Sequence, residues 1–153
     1  MASKLLSDDF PNLISLDFSC HTAEEAIRQA GNLLLQNGYV TANYIEGMLK
    51  REKEYPTYLD YGVMIPHGTE DTLSCVLHPG ISIITIPKGF PYLGHKVTFV
   101  IGISSKEEDP LQELMQITDI LLDSEKRIRL LHPSSKQEII DVINENYMEK
   151  GEI

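Results

Sequence analysis

The chain has 153 residues, enough for one compact domain, and its 42% hydrophobic and 24% charged content is that of an ordinary globular protein. With 23 acidic residues against 13 basic ones, the formal net charge is −10, which argues against electrostatic binding to nucleic acid or to an anionic membrane. No stretch approaches the roughly 18 consecutive apolar residues of a membrane span, and Met1 to Asp9 lacks the apolar core of a signal peptide, so a cytoplasmic protein is expected.

Taken in chain order, Thr22 and Glu25 form a capping box ahead of a helical stripe of Ala26, Ile27, Ala30, Leu33 and Leu34, with Gly38 as the stop. Asn43 and Glu46 suggest a second capping box, and Ile45, Met48 and Leu49 its buried stripe. That helix must end near Tyr55, because Pro56 disfavours helix in the residue before it. The period then changes. Leu73–Leu77 and Ile81–Ile86 read as strands around the turn His78-Pro79-Gly80, and 89–94 reads as a loop. Lys96–Ile103 reads as a central strand buried on both faces.

The last third returns to helices. Asp109 caps and Pro110 opens a helix whose inner stripe is Leu111, Leu114, Met115, Thr118, Leu121 and Leu122. A short helix is expected at Glu125–Leu131, and Ser135 with Glu138 starts a final one. Residues 1–10 and 148–153 are expected to fray, the whole 1–153 forming a single domain. This order implies an α/β fold, a single mixed β-sheet flanked by helices.

Little of the usual site chemistry is present. There is no phosphate-cradling glycine loop, dinucleotide fingerprint, nucleophile elbow or zinc-spaced histidine pair. Cys20 and Cys75 have no metal-ligand or redox spacing and are expected to be reduced thiols. No cofactor and no metal are expected. Of the five histidines only His67 has a distinctive setting, at the end of Gly62-Val63-Met64-Ile65-Pro66-His67-Gly68. Val63 and Ile65 suit a short buried strand, and Pro66 cannot donate to a ladder and is expected to end the pairing. His67 is then expected to stand exposed on a stiff turn, with Gly68 leaving room beside the ring. A neutral imidazole has a lone pair that can attack phosphorus, given donors for the phosphoryl oxygens, and Arg51 and Thr57 are candidates for that role.

The run Arg51-Glu52, Pro56-Thr57 and Val63-Met64-Ile65-Pro66-His67 resembles the fructose–mannitol class of enzyme IIA of the bacterial sugar phosphotransferase system (PTS). The resemblance covers nearly the whole chain. It implies a phosphotransferase in which His67 accepts a phosphoryl group from HPr on Nε2 and passes it to a cognate enzyme IIB, which works with a membrane enzyme IIC. It also implies site roles for Arg51 and Glu52 beside Thr57. Mannitol- and fructose-type members carry a second histidine where this chain has Pro110, and that departure, with Glu54-Tyr55-Pro56-Thr57, makes the galactitol-type branch the expected one. The alternative is a regulatory enzyme IIA-like domain, nitrogen-type or cut from a transcriptional regulator, phosphorylated on His67 without feeding a transporter. Glu70 and Asp71 stand close after His67, either pointing away or facing a basic partner.

Overall fold

In the computed structural model, which describes residues 8–107 and 110–150, a 3₁₀ turn at Phe10–Leu13 leads into a short strand, β1 (Ile14–Ser15). Helix α1 (Ala23–Gln36) starts where the capping box predicts: the Glu25 amide donates to Thr22 Oγ1 at 3.2 Å, and the His21 amide donates back to the Glu25 carboxylate at 3.0 Å. Ala26, Ile27, Ala30 and Leu34 are its buried stripe. Helix α2 (Asn43–Glu54) lacks the expected cap. Asn43 lies inside the helix, and the first turn is tightened instead by the Tyr44 and Ile45 amides donating to Thr41 and Ala42 carbonyls. It ends at Tyr55, whose extended backbone is what Pro56 requires.

Strand β2 (Val63–Met64) is short, and Leu73–Leu77 is not a strand. A 3₁₀ helix occupies Glu70–Cys75, because Thr69 and Thr72 cap its first turn reciprocally, and only Val76 makes a sheet-like bridge, to Val40. Strand β3 (Gly80–Tyr92) runs through the segment expected as a loop and is bulged between Thr85 and Phe90. Tyr92 pairs with His95, the first residue of β4 (His95–Ser104), so Leu93 and Gly94 form a two-residue hairpin turn. Their φ angles, +53° and +81°, suit the turn that matches sheet twist.

The four strands form one mixed sheet in the order β1-β3-β4-β2, with β1 parallel to β3, β3 antiparallel to β4 and β4 parallel to β2. Helix α1 lies on β3 and β4, and Ser82 Oγ on β3 donates to the Ala30 carbonyl at 2.9 Å. Ile83, Ile84, Ile86, Phe99 and Val100 are fully buried, each burial being worth about 1.5–3 kcal/mol. The fold class read from the sequence is therefore the one observed.

The sheet, α1 and α2 belong to one compact unit, Asn12–Pro110, and the described residues up to Pro11 and from Leu111 onward make a second. In the second, helices α3 (Leu111–Leu122), α4 (Ser124–Leu131) and α5 (Lys136–Lys150) pack on one another. Asp109, the expected cap of α3, is outside the described residues, as are 1–7 and 151–153. The α3 stripe is rotated from expectation. Gln116, Ile117, Ile120 and Leu121 are buried while Leu111, Met115 and Leu122 are exposed. A polar pair fixes this choice, Asn146 Nδ2 donating to Gln116 Oε1 at 2.7 Å, with Lys126 Nζ donating to Asn146 and Glu149. Apolar residues circle this helix, so spacing alone does not choose its inner face. Where the expected tails are described, Phe10 is buried and α5 continues past Tyr147 to Lys150.

Candidate functional site

His67 follows β2, but Pro66 does not end the pairing. The Ile103 amide donates to the Pro66 carbonyl at 3.0 Å, and His67 still bridges Ile103 in the parallel sense. Proline lacks a donor but keeps its acceptor, and the parallel ladder uses that acceptor. The exposed ring expected from the sequence is therefore corrected: His67 is 5% exposed. Gly68 is corrected too. A Cβ there would meet Tyr44 Cε1 at 2.5 Å and Thr72 Oγ1 at 2.7 Å, so the missing side chain accommodates Tyr44 and Thr72, not an incoming ligand.

The ring is held at one nitrogen in a way that decides its chemistry. Nδ1 lies 2.9 Å from the Ile65 carbonyl oxygen. A carbonyl only accepts, so Nδ1 carries the proton, and in the neutral ring the lone pair resides on Nε2. Tyr44 braces the same turn: its hydroxyl donates to the Ile103 carbonyl at 2.7 Å and accepts from the Gly68 amide at 2.9 Å. Tyr44 carries no local signal in the sequence, since its partner carbonyl is 59 residues away.

The other expected site residues separate into two groups. Glu52, buried near the end of α2, accepts from the Thr57 amide at 2.7 Å and from Thr57 Oγ1 at 2.6 Å, and Tyr92 donates to it at 2.6 Å. The Thr57 hydroxyl hydrogen is thus directed at Glu52, which corrects the expectation that it serves a phosphoryl oxygen. Burial, and then the Glu52 hydrogen bond and charge, push the Tyr92 phenol well above its ordinary range, so it remains a donor. Arg51 takes a different direction. Its guanidinium donates to the Tyr55 carbonyl at 2.5 Å and lies 5.2 Å from the centre of the Tyr55 ring.

Arg51 lines a groove of about 470 Å³ with Lys50, Glu54, Tyr55, Thr69, Glu70 and Asp71. Both carboxylates after His67 thus face this groove, where Asp71 pairs with Lys50 at 3.5 Å. The groove wall reaches Thr69, two residues past His67. The remaining histidines have other settings. His95 stacks on Tyr58, His78 meets the edge of Tyr39, His132 closes α4 and His21 precedes α1. Among the described residues no cluster of His, Cys, Asp and Glu could hold a metal ion, and no helix is long and apolar enough to cross a membrane.

The sequence and the fold that carry this buried histidine match a known family. Residues 10–146 match the phosphoenolpyruvate-dependent sugar phosphotransferase system, EIIA 2. The chain is 41% identical over 133 residues to the mannitol-specific phosphotransferase enzyme IIA component of Bacillus subtilis (strain 168), covering 86% of this chain and 93% of that one. Its structure resembles the crystal structure of IIA mannitol from Escherichia coli with a TM-score of 0.79 at 34% identity, over 86% of this chain and 96% of that one. It also resembles a chain in the Escherichia coli complex of enzyme IIAMTL and phosphorylated enzyme IIBMTL, with a TM-score of 0.80 at 33% identity, over 86% and 94% of the two chains.

The chain belongs to this enzyme IIA family, whose members are phosphotransferases working through a phosphohistidine. The galactitol-type branch expected from Pro110 and the 54–57 segment is not supported, since the relatives above are mannitol proteins. One proline and four neighbouring residues are a local signal, and similarity along 133 residues outweighs it.

Proposed function

We propose that this chain is a mannitol-type enzyme IIA. It accepts a phosphoryl group from HPr on Nε2 of His67 and passes it to a cognate enzyme IIB, in the cytoplasm, with a membrane enzyme IIC taking up the sugar. The reading treats the chain as one IIA domain, because the family match runs through residues 10–146. The carrying observation is the 2.9 Å contact between His67 Nδ1 and the Ile65 carbonyl, which leaves Nε2 as the nucleophilic nitrogen.

In the transfer step the Nε2 lone pair forms a bond to phosphorus. The bond from phosphorus to the donor breaks, and its electron pair leaves with the donor. The Nδ1 proton stays on the ring, and the positive charge that develops there is stabilised by the Ile65 carbonyl. The reverse polarity operates toward the acceptor on enzyme IIB. A ring only 5% exposed fits transfer between proteins, because the docked partner supplies the closed, water-poor surroundings such a step needs. Arg51 in the adjoining groove is the cation suited to the phosphoryl oxygens once it leaves Tyr55.

The partner is tested by mixing the phosphorylated protein with purified mannitol-type and fructose-type enzymes IIB. Faster phosphoryl transfer to the mannitol-type protein supports the reading. Equal rates, or preference for the fructose type, overturn the mannitol assignment.

A further inference from the structure

The ring of His67 is linked to a tyrosine at the far end of β3 by hydrogen bonds that meet on the backbones of Ile65 and Thr57. Nδ1 contacts the Ile65 carbonyl at 2.9 Å. The Ile65 amide donates to the Thr57 carbonyl at 3.1 Å, and the Leu59 amide to the Val63 carbonyl at 2.9 Å, so 57–59 runs as a partner beside β2. Thr57 is in turn held by Glu52 through both its amide and its hydroxyl. Glu52 sits in the last turn of α2, and Tyr92 Oη donates to the same oxygen, Oε2, that receives the Thr57 amide.

We propose that Tyr92 is a positioning residue for the His67 imidazole: by fixing the Glu52 carboxylate it holds the Thr57 backbone, and through it the backbone of Ile65, the residue whose carbonyl sets the ring's tautomer. The proposal rests on the reading of His67 as the phosphorylated residue. Tyr92 does not touch the reacting atoms on this account. It lines a separate cavity of about 420 Å³ with Leu49, Glu52 and Lys53, not the groove that holds Arg51 and Thr69. Its hydroxyl is committed to Glu52 at 2.6 Å, and burial together with Glu52 raises the phenol's pKa. A hydrogen-bonded second layer of this kind commonly decides how well a reactive group is aimed.

The test is Tyr92→Phe in protein labelled with ¹⁵N in histidine. Ring ¹⁵N shifts at alkaline pH give the tautomer balance of His67 without any phosphorylation, so this readout stands even if the phosphoryl group is carried elsewhere. The expected result is a lower Nδ1–H population. Transfer from phospho-HPr at saturating donor should fall about 3- to 10-fold, with KM for HPr within about twofold. In a double-mutant cycle Tyr92→Phe should cost little more once Glu52→Gln is present. An unchanged tautomer balance overturns the proposal, whether or not the unfolding midpoint drops. Loss of phosphorylation at His67 in the wild-type protein would instead count against the functional reading above.

Discussion

Tyr44 and Gly68, 24 residues apart, share a hydrogen bond of 2.9 Å in which the glycine amide donates to the tyrosine hydroxyl. The same hydroxyl donates to the Ile103 carbonyl at 2.7 Å, so one oxygen joins the turn after His67 to the central strand. Tyr44→Phe removes that oxygen and leaves a buried amide and a buried carbonyl with one partner fewer. The expected cost is about 1–3 kcal/mol, read from urea unfolding. A change below the error of the measurement would mean the hydroxyl's bonds are replaced by water.

Gly68→Ala tests the packing around the same turn. The added methyl would lie 2.5 Å from Tyr44 Cε1 and 2.7 Å from Thr72 Oγ1. One of them must move, and overpacking of this kind costs about 1–3 kcal/mol. Because the displaced groups brace His67, phosphoryl transfer should slow as well. Calorimetry and a quenched-flow transfer assay on the same preparation check both outcomes.

Arg51→Ala should separate folding from activity. The side chain is half-buried and gives up one hydrogen bond to a helix-end carbonyl and one ring contact. Stability should therefore fall by no more than about 1 kcal/mol. If Arg51 serves the phosphoryl oxygens as proposed, transfer from phospho-HPr should slow more than that loss explains. Arg51→Lys should recover only part of the rate, because a lysine offers charge without the planar fork. Unchanged kinetics in Arg51→Ala would remove it from the site.

Two exposed carboxylates contribute to the acid limb of stability. Glu25 lies below its ordinary 4.5, chiefly because it accepts from the His21 amide, and Glu145 lies below 4.5, chiefly because Arg129 donates to it. A carboxylate whose folded value is depressed stabilises the fold above its unfolded value. That contribution is lost as pH falls through the folded one. The unfolding midpoint should hold steady down to about pH 5 and decline below 4.5. Glu145→Gln should flatten part of that decline, and high salt should mimic it at Glu145 more than at Glu25. Circular dichroism melts between pH 3 and 6 check this, and a midpoint insensitive to pH below 4.5 would contradict it.

Local chemistry made much of this legible in the sequence. The Thr22–Glu25 box, the stop at Pro56, the apolar β4 and the Ser135 cap of α5 are each written within a few residues. What was not legible depends on contacts distant in the chain. Leu73–Leu77 has the apolar pattern of a strand, yet the Thr69–Thr72 cap starts a 3₁₀ turn that takes in Leu73–Cys75. Tyr92 fell in a stretch whose glycines and proline suggest a loop, although a bulge and a two-residue turn keep it in the sheet. The α3 face is chosen by Gln116 meeting Asn146, 30 residues on. Pro66-His67 was legible as the end of a short strand, but the ladder bond that carries the pairing past Pro66, and the burial of His67, were not.

The most direct measurement is ³¹P and ¹⁵N NMR of the protein after incubation with phosphoenolpyruvate, enzyme I and HPr, with His67→Ala as a parallel sample. The account predicts one acid-labile, base-stable phosphoryl group, bonded to Nε2 of His67 and missing from the variant. A phosphoryl group on Nδ1, on any other histidine, or no uptake at all would contradict it.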